Sequence, residues 1–186
     1  MYWWSPDPRA VLFPGRIRIT RSLRKSIRNK GLQVSFDRDF PAVVRACAAP
    51  RSYAAGTWIT EDMYQAYCRL HRAGYAHSVE VRTAEDELVG GLYGVVAGGV
   101  FCGESMFSRN ADASKIAFVA LAWHLLKWGF AVIDCQIANS HLCSMGAEEI
   151  SRERFLAILR ANPDTPAAAD WQIDRTADLS RWNPVR

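Results

Sequence analysis

The sequence predicts an α+β fold in which a mostly antiparallel sheet is flanked by helices. Three observations predict it. Amphipathic helical segments fill much of the chain before Tyr75. A run with period-two alternation, "AHSVEVRT" and then "LVGGLYGVVAGGVFCGESMF", reads as a meander of antiparallel strands. Finally, "ASKIAFVALAWHLLKWG" is a long helix, apolar on much of its circumference, and "FAVIDCQI" after it is a buried strand that turns polar at its end.

The elements follow in order. "SPDPRAVLFP" carries Pro6, Pro8 and Pro14, which exclude a helix, so it reads as an irregular or edge segment. Thr20 to Asn29 suits a short basic helix, and Leu32 to Phe36 alternates as a strand. Asp39 to Ala48 and Thr60 to Ala73 read as amphipathic helices; the second has Thr60 as N-cap, acids in its first turn and Gly74 at its close. "AEDE" turns the chain between the first two strands of the meander. Gly90, Gly91, Gly94, Gly98 and Gly99 keep the strands thin, which suits a bulge or the close approach of a ligand. The long helix ends at Gly129, and Ser151 caps "SRERFLAILRA". From Asn162 the chain is rich in Pro, Ala and Asp and reads as a loosely packed tail, 162–186. No internal repeat or long linker divides the chain, so 1–186 is expected to be a single domain. This order of elements is that of N-acyltransferase folds of the acetyltransferase superfamily, an analogy of fold that leaves the chemistry open.

With 186 residues and 49% hydrophobic residues the chain can bury a substantial core. No apolar run approaches the roughly 20 residues of a membrane span, and "MYWWSPDPR" lacks the charged-then-apolar order of a signal peptide, which points to the cytoplasm. The 5 cysteines are an odd count without CxxC spacing, so neither a disulfide framework nor a metal site is indicated. The net charge of +4 hides an asymmetry: Gly15 to Gly31 holds Arg16, Arg18, Arg21, Arg24, Lys25, Arg28 and Lys30 and no acid, the pattern of a surface for a polyanion. Trp3, Trp4 and Phe13 lie close by and offer stacking surfaces. No nucleophile-elbow motif, HExxH or P-loop is present, which sets aside hydrolase, metalloprotease and nucleotide kinase readings.

Two strand ends turn polar, "FCGESMF" and "VIDCQIANSH", and their candidates are Glu104, Asp134, Gln136, Asn139 and His141. Alternation puts Asp134 and Gln136 on one face and Cys135 on the other. An acid and an amide on a common face can hold an amine by accepting its hydrogens, or orient it for attack.

Several long motifs carry a resemblance: "WWSPDPRAVLFP", "GTWIT", "AYCRLHRAGYAHSVEV", "ELVGGLYGV", "FCGESMFSRNADASK" and "IDCQIANSHLCSMGAEEISRERFL". Together, from Trp3 to Leu159, they resemble the leucyl/phenylalanyl-tRNA–protein transferases of bacteria. The resemblance implies an aminoacyltransferase that moves Leu or Phe, with Met also admitted, from aminoacyl-tRNA to the α-amine of proteins beginning with Lys or Arg, marking them for degradation by the N-end rule. The ester is already activated, so no ATP, metal, cofactor or covalent intermediate is implied, and the enzyme would be a cytoplasmic monomer with no membrane partner. By resemblance Glu104, Asp134 and Gln136 form the catalytic centre, with Asp134 and Gln136 accepting or relaying the proton of the attacking amine. Gly90, Gly91, Leu92, Phe101, Met106 and Phe107 would line the aminoacyl pocket. Trp58 would pack on the terminal adenosine, Asn139 would contact the tRNA, and Arg16, Arg21, Arg24, Lys25 and Arg28 would meet acceptor-stem phosphates.

Two departures from the family pattern stand out. Most of its small N-terminal domain has no counterpart here, and Arg82 follows "VEV" where the family has Trp. Two other readings compete: a truncated, weakly active or non-catalytic tRNA-binding homologue, and a coenzyme A-dependent acetyltransferase. The latter requires an R/Q-x-x-G-x-G/A loop before a helix, which this sequence lacks.

Overall fold

A computed structural model describes residues 5–50, 56–166 and 169–184. In chain order the elements are β1 (Arg9–Leu12), α1 (Arg21–Asn29), β2 (Gln33–Phe36), α2 (Phe40–Ala48), α3 (Glu61–Arg72), β3 (Ala76–Arg82), β4 (Leu88–Ala97), β5 (Val100–Ser108), α4 (Ala113–Trp128), β6 (Val132–Gln136), α5 (Ser140–Ser144), β7 (Glu148–Ile150) and α6 (Arg152–Ala161). Helix starts fall where the short polar residues predict. The side chains of Thr20, Asp39, Thr60 and Ser151 each accept from a backbone N–H in the first turn, satisfying a donor that the helix leaves without a partner. Gly129 ends α4 at φ 87°, a conformation that only glycine adopts freely.

The strands form one 7-stranded sheet in the order β2-β3-β4-β5-β6-β1-β7. Every pairing is antiparallel except β5 with β6, which is parallel. The α+β, mostly antiparallel architecture is therefore as expected. The first segment is not an edge, however: β1 lies between β6 and β7 and pairs with both. Its Val11 and Leu12 are fully buried, and Pro8 and Pro14 only bracket the short strand. α5 and β7 are two further short elements that carry too few residues to show a period.

One face of the sheet packs on α4, whose side chains are buried nearly all round, and on Leu23 of α1. The other face is covered in two parts. α2 and α3 pack on β3 and β4 through Phe40, Val43, Val44, Tyr67 and Tyr93, and α6 packs on β1, β5 and β6 through Phe155, Val11, Val100 and Val132. The gap between these two parts is where polar groups collect.

The described part of the C-terminal segment is bound more closely than its composition predicts. Leu179 is buried, and Trp171 stacks on the His77 ring at 3.7 Å and meets Phe36, Phe101, Trp128 and Phe130. The Asp174 amide donates to His124 Nε2 at 2.9 Å, which requires a neutral imidazole whose proton sits on Nδ1, facing the Ala120 carbonyl. Burial lowers the His124 pKa in the same sense. Asp37, His71 and His77 bring ligand-type atoms within 4.8 Å of one another. These atoms already serve the fold: His77 Nδ1 meets Asp37 at 2.6 Å, His71 Nδ1 meets the Ala76 carbonyl at 2.8 Å, and the His77 ring seats Trp171.

Candidate active site in a fork of the sheet

β5 and β6 run side by side for only three residue pairs, Val100–Val132, Phe101–Ile133 and Cys102–Asp134, and then part. Both strands bulge at the parting. Between β4 and β5 the register steps from Gly94–Gly103 to Tyr93–Ser105, which leaves Glu104 as the extra residue; between β1 and β6 it steps from Val11–Asp134 to Ala10–Gln136, which leaves Cys135. A bulge breaks the two-residue alternation and re-aims the side chains beside it. The expectation that simple alternation sets the faces of Asp134, Cys135 and Gln136 therefore does not hold. Gln136 takes φ 59°, the left-handed conformation, which costs a non-glycine residue about 1 to 2 kcal/mol. Two hydrogen bonds hold it there: its N–H donates to Asp134 Oδ1 at 3.0 Å, and Nε2 reaches across the fork to donate to the Gly103 carbonyl at 2.8 Å. The amide oxygen of Gln136 has no such bond to the described residues.

Asp134 is completely buried. Arg9 Nε donates to Oδ1 at 3.0 Å and Arg9 Nη2 to Oδ2 at 2.6 Å, a bidentate pair, and the Gln136 amide also donates to Oδ1. Arg9 is itself sandwiched against the Phe155 ring, 4.4 Å from its centroid. Through these bonds Asp134 ties β1 to the fork, at the position where the expectation set the group that accepts or relays the proton of the amine.

Glu104 is different. Tyr67 donates to its Oε2 at 2.8 Å, and among the described residues no other hydrogen bond ties it down. Burial and the neighbouring Asp134 charge push its pKa up, against the Tyr67 bond and Arg9, which pull it down. Burial also pushes Cys102 and Cys135 up to about 12, so both stay as thiols.

A cleft of about 1180 Å³ passes through the fork. On the α4 side its wall is Leu92, Phe101, Met106, Phe118, Leu121 and Ile133; on the other side Cys47, Tyr93, Phe107 and Trp58 line it, and Glu104, Asp134, Gln136, Asn139 and His141 surround the junction. Leu92, Phe101, Met106 and Phe107 thus stand where the pocket was expected. Gly90 and Gly91 do not. A Cβ on Gly90 would come within 2.5 Å of Ala113 Cβ, and one on Gly91 within 2.6 Å of the Val79 carbonyl oxygen. Gly90 lets α4 approach the sheet and Gly91 leaves room for the backbone of the paired strand β3, and neither forms a cleft wall. Gly90→Val should accordingly destabilise the fold by about 1 to 3 kcal/mol through overpacking. Chemical denaturation reads this directly; a variant as stable as the parent would mean that α4 can shift away from β4.

Trp58 stands 51% exposed at the mouth of the cleft. Trp3 and Trp4 lie outside the described residues. Arg21, Lys25 and Arg28 project from α1 as an exposed basic row. Arg24 faces inward, where its Nη1 donates to the carbonyls of Ser180 and Trp182 at 3.0 and 2.6 Å, so it ties down the C-terminal segment and is no free phosphate contact. Arg16 meets Glu148 at 3.3 Å and lies over Phe13. The Asn139 side chain caps α5 by accepting from the Leu142 amide, although the residue also borders the cleft. His141 lies in that helix, and burial and the Lys115 charge lower its pKa. Arg82 pairs with Asp39 at 3.7 Å and with the Asp86 carbonyl at 2.9 Å and does not line the cleft. Sequence reasoning missed Arg9, Tyr67 and Tyr93. Only Arg9 left a signal, as a single cation on an apolar run in "RAVL".

Residues 11–160 match the family model described as leucyl/phenylalanyl-tRNA protein transferase. The chain is similar to the leucyl/phenylalanyl-tRNA–protein transferase of Pseudomonas entomophila (strain L48), 61% identical over 169 residues that cover 91% of this chain and 74% of that one. The corresponding protein of Pseudomonas putida (strain W619) is 58% identical over 170 residues, 91% of this chain and 75% of its own. Among solved structures, that of L-PGS from Bacillus licheniformis aligns with a TM-score of 0.49 at 12% identity, over 84% of this chain and 52% of that one.

Proposed function

Because the chain belongs to the leucyl/phenylalanyl-tRNA–protein transferase family, we propose that it transfers Leu or Phe from aminoacyl-tRNA to the N-terminal α-amine of proteins beginning with Lys or Arg, the mark read by the N-end rule. The observation that carries this reading is the fork, where an apolar lobe and a polar lobe meet at Gln136.

The apolar lobe of Leu92, Met106, Phe118 and Leu121 suits an unbranched Cβ followed by a bulky group, hence Leu, Phe or Met. Ile and Val would widen the side chain at the point where the ester is held, and fit and attack geometry would fail together. Trp58 at the mouth offers a ring for the terminal adenine, and Asn139, which also borders the cleft, offers an amide for the ribose end.

The reaction needs position more than strong acid or base. An α-amine has a pKa near 8, so roughly a tenth or more is neutral at pH 7 to 8. The unengaged amide oxygen of Gln136 can accept from that amine and aim its lone pair at the ester carbon. A C–N bond then forms, the C–O bond to the ribose breaks, and the amine's proton ends on the departing ribose oxygen. Asp134 and Arg9 hold Gln136 in its strained conformation, so the geometry is built before substrate arrives. Glu104, on the polar lobe, supplies the negative charge that a Lys or Arg side chain requires.

The direct test is transfer of labelled Phe from charged tRNA to one protein prepared with Arg, Lys or Ala at its N-terminus; equal or absent transfer to all three would overturn the reading. The basic row gives a second test. Replacing Arg21, Lys25 and Arg28 together should weaken tRNA binding and flatten its salt dependence by about 0.7 to 0.9 in logarithmic slope per lost phosphate contact. An unchanged slope would make α1 a solvated face with no part in binding.

A further inference from the structure

Tyr93 is the one buried aromatic whose polar end has nothing to do within the described fold. Its side chain is 0% exposed, yet its hydroxyl has no hydrogen-bond partner among the described residues. A phenol stranded in this way is costly, and native cores seldom keep one without a reason. Packing alone would be served as well by Phe: the ring contacts Phe40 and Tyr67 edge-on, at 5.8 and 4.9 Å between centroids, and neither contact uses the oxygen.

The position of the ring supplies the reason. Tyr93 pairs with Ser105, immediately beside the bulge that extrudes Glu104, and it lines the same lobe of the cleft. The neighbouring phenol, Tyr67 of α3, is already spent on Glu104 Oε2 at 2.8 Å. This side of the cleft therefore brings one carboxylate, Glu104, and the unpartnered phenol of Tyr93 together among Cys47, Thr57, Trp58, Ser105 and Phe107. That set calls for a ligand with several N–H donors and a positive charge.

We propose that the Tyr93 hydroxyl is a specificity-determining contact to the side chain of the acceptor's N-terminal residue, and that it favours a guanidinium over an ammonium. This rests on the transferase reading above. A guanidinium presents five N–H donors in a rigid planar fork, so it can give two to Glu104 and a further one to the phenol. An ammonium is a compact point charge with three donors and its position is set by the carboxylate alone. The phenol thus adds binding that Arg uses and Lys uses little.

Tyr93→Phe removes only the oxygen and keeps the ring contacts. With Phe-tRNA as donor, it should raise the KM for an acceptor beginning with Arg about tenfold, equivalent to about 1.4 kcal/mol. The KM for the same protein beginning with Lys should rise no more than about threefold, and the donor's KM should hold in both cases. The thermal midpoint should stay level or rise, since an unsatisfied hydroxyl leaves the core. Equal KM values before and after substitution, with wild-type transfer intact, would overturn the inference and leave Tyr93 as a packing residue. A tenfold loss shared equally by Arg and Lys acceptors would overturn the guanidinium preference. Absence of transfer by the wild-type protein would instead overturn the transferase reading itself, so the two failures are separable.

Discussion

Arg9→Ala should cost about 3 to 5 kcal/mol of folding free energy and lower the thermal midpoint by roughly 6 to 20 °C. Asp134 is fully buried, and both its oxygens face the Arg9 guanidinium. Removing the cation leaves a buried carboxylate with, among the described residues, only the Gln136 amide as donor. Taking away both charges is a different matter, because a buried ion pair replaced as a unit often changes stability little. The double variant Arg9→Leu with Asp134→Asn should accordingly be more stable than Arg9→Ala alone, since Asn keeps an oxygen for the Gln136 amide. Transfer should still fall in the double variant, because β1 is no longer pinned to the fork. Denaturant titration of the single and double variants measures the coupling. A loss under 1 kcal/mol in Arg9→Ala would mean that water reaches Asp134 and the pair is not what shapes the fork.

Much of this organisation was legible in the residues. The alternation of β3 to β5, the apolar length of α4 and the polar end of β6 are local properties, and they placed Gln136 at a strand end beside an apolar pocket; Glu104, expected at a strand end, sits instead in the middle of β5. What local pattern cannot carry is pairing at a distance. Arg9 and Asp134 are 125 residues apart, and a four-residue strand between prolines has no period of its own, so β1 looked irregular. The two bulges were hidden for a related reason. Alternation assumes an unbroken ladder, and the steps in register at Glu104 and Cys135 depend on neighbouring strands. The glycines illustrate the converse error. Thin strands invite a ligand or a neighbouring element equally, and at Gly90 the guest is Ala113. Composition likewise misjudged the C-terminal segment, in which Trp171 and Leu179 outweigh the surrounding Pro, Ala and Asp.

Gln136→Ala should lower the rate of aminoacyl transfer by about 10² to 10³, the loss seen when one fixed polar contact to a reacting centre is removed. Binding of charged tRNA should change little, since the basic row and Trp58 lie elsewhere. Two roles for Gln136 compete: it could brace the fork through Gly103, or it could hold the amine. Glycine separates them. The residue sits at φ 59°, so Gln136→Gly accepts the backbone conformation without steric cost and releases about 1 to 2 kcal/mol of strain, which offsets the lost bond to Gly103. The glycine variant should therefore fold at least as stably as the alanine variant and still be as slow. If slowness followed a loose fork alone, the better-braced variant would recover activity. Single-turnover transfer of labelled Phe to an Arg-started acceptor, run beside thermal unfolding, reads both quantities. Rates that track stability across Gln136, Ala and Gly would assign Gln136 to the scaffold; rates that collapse in both variants, whatever their stability, assign it to the amine.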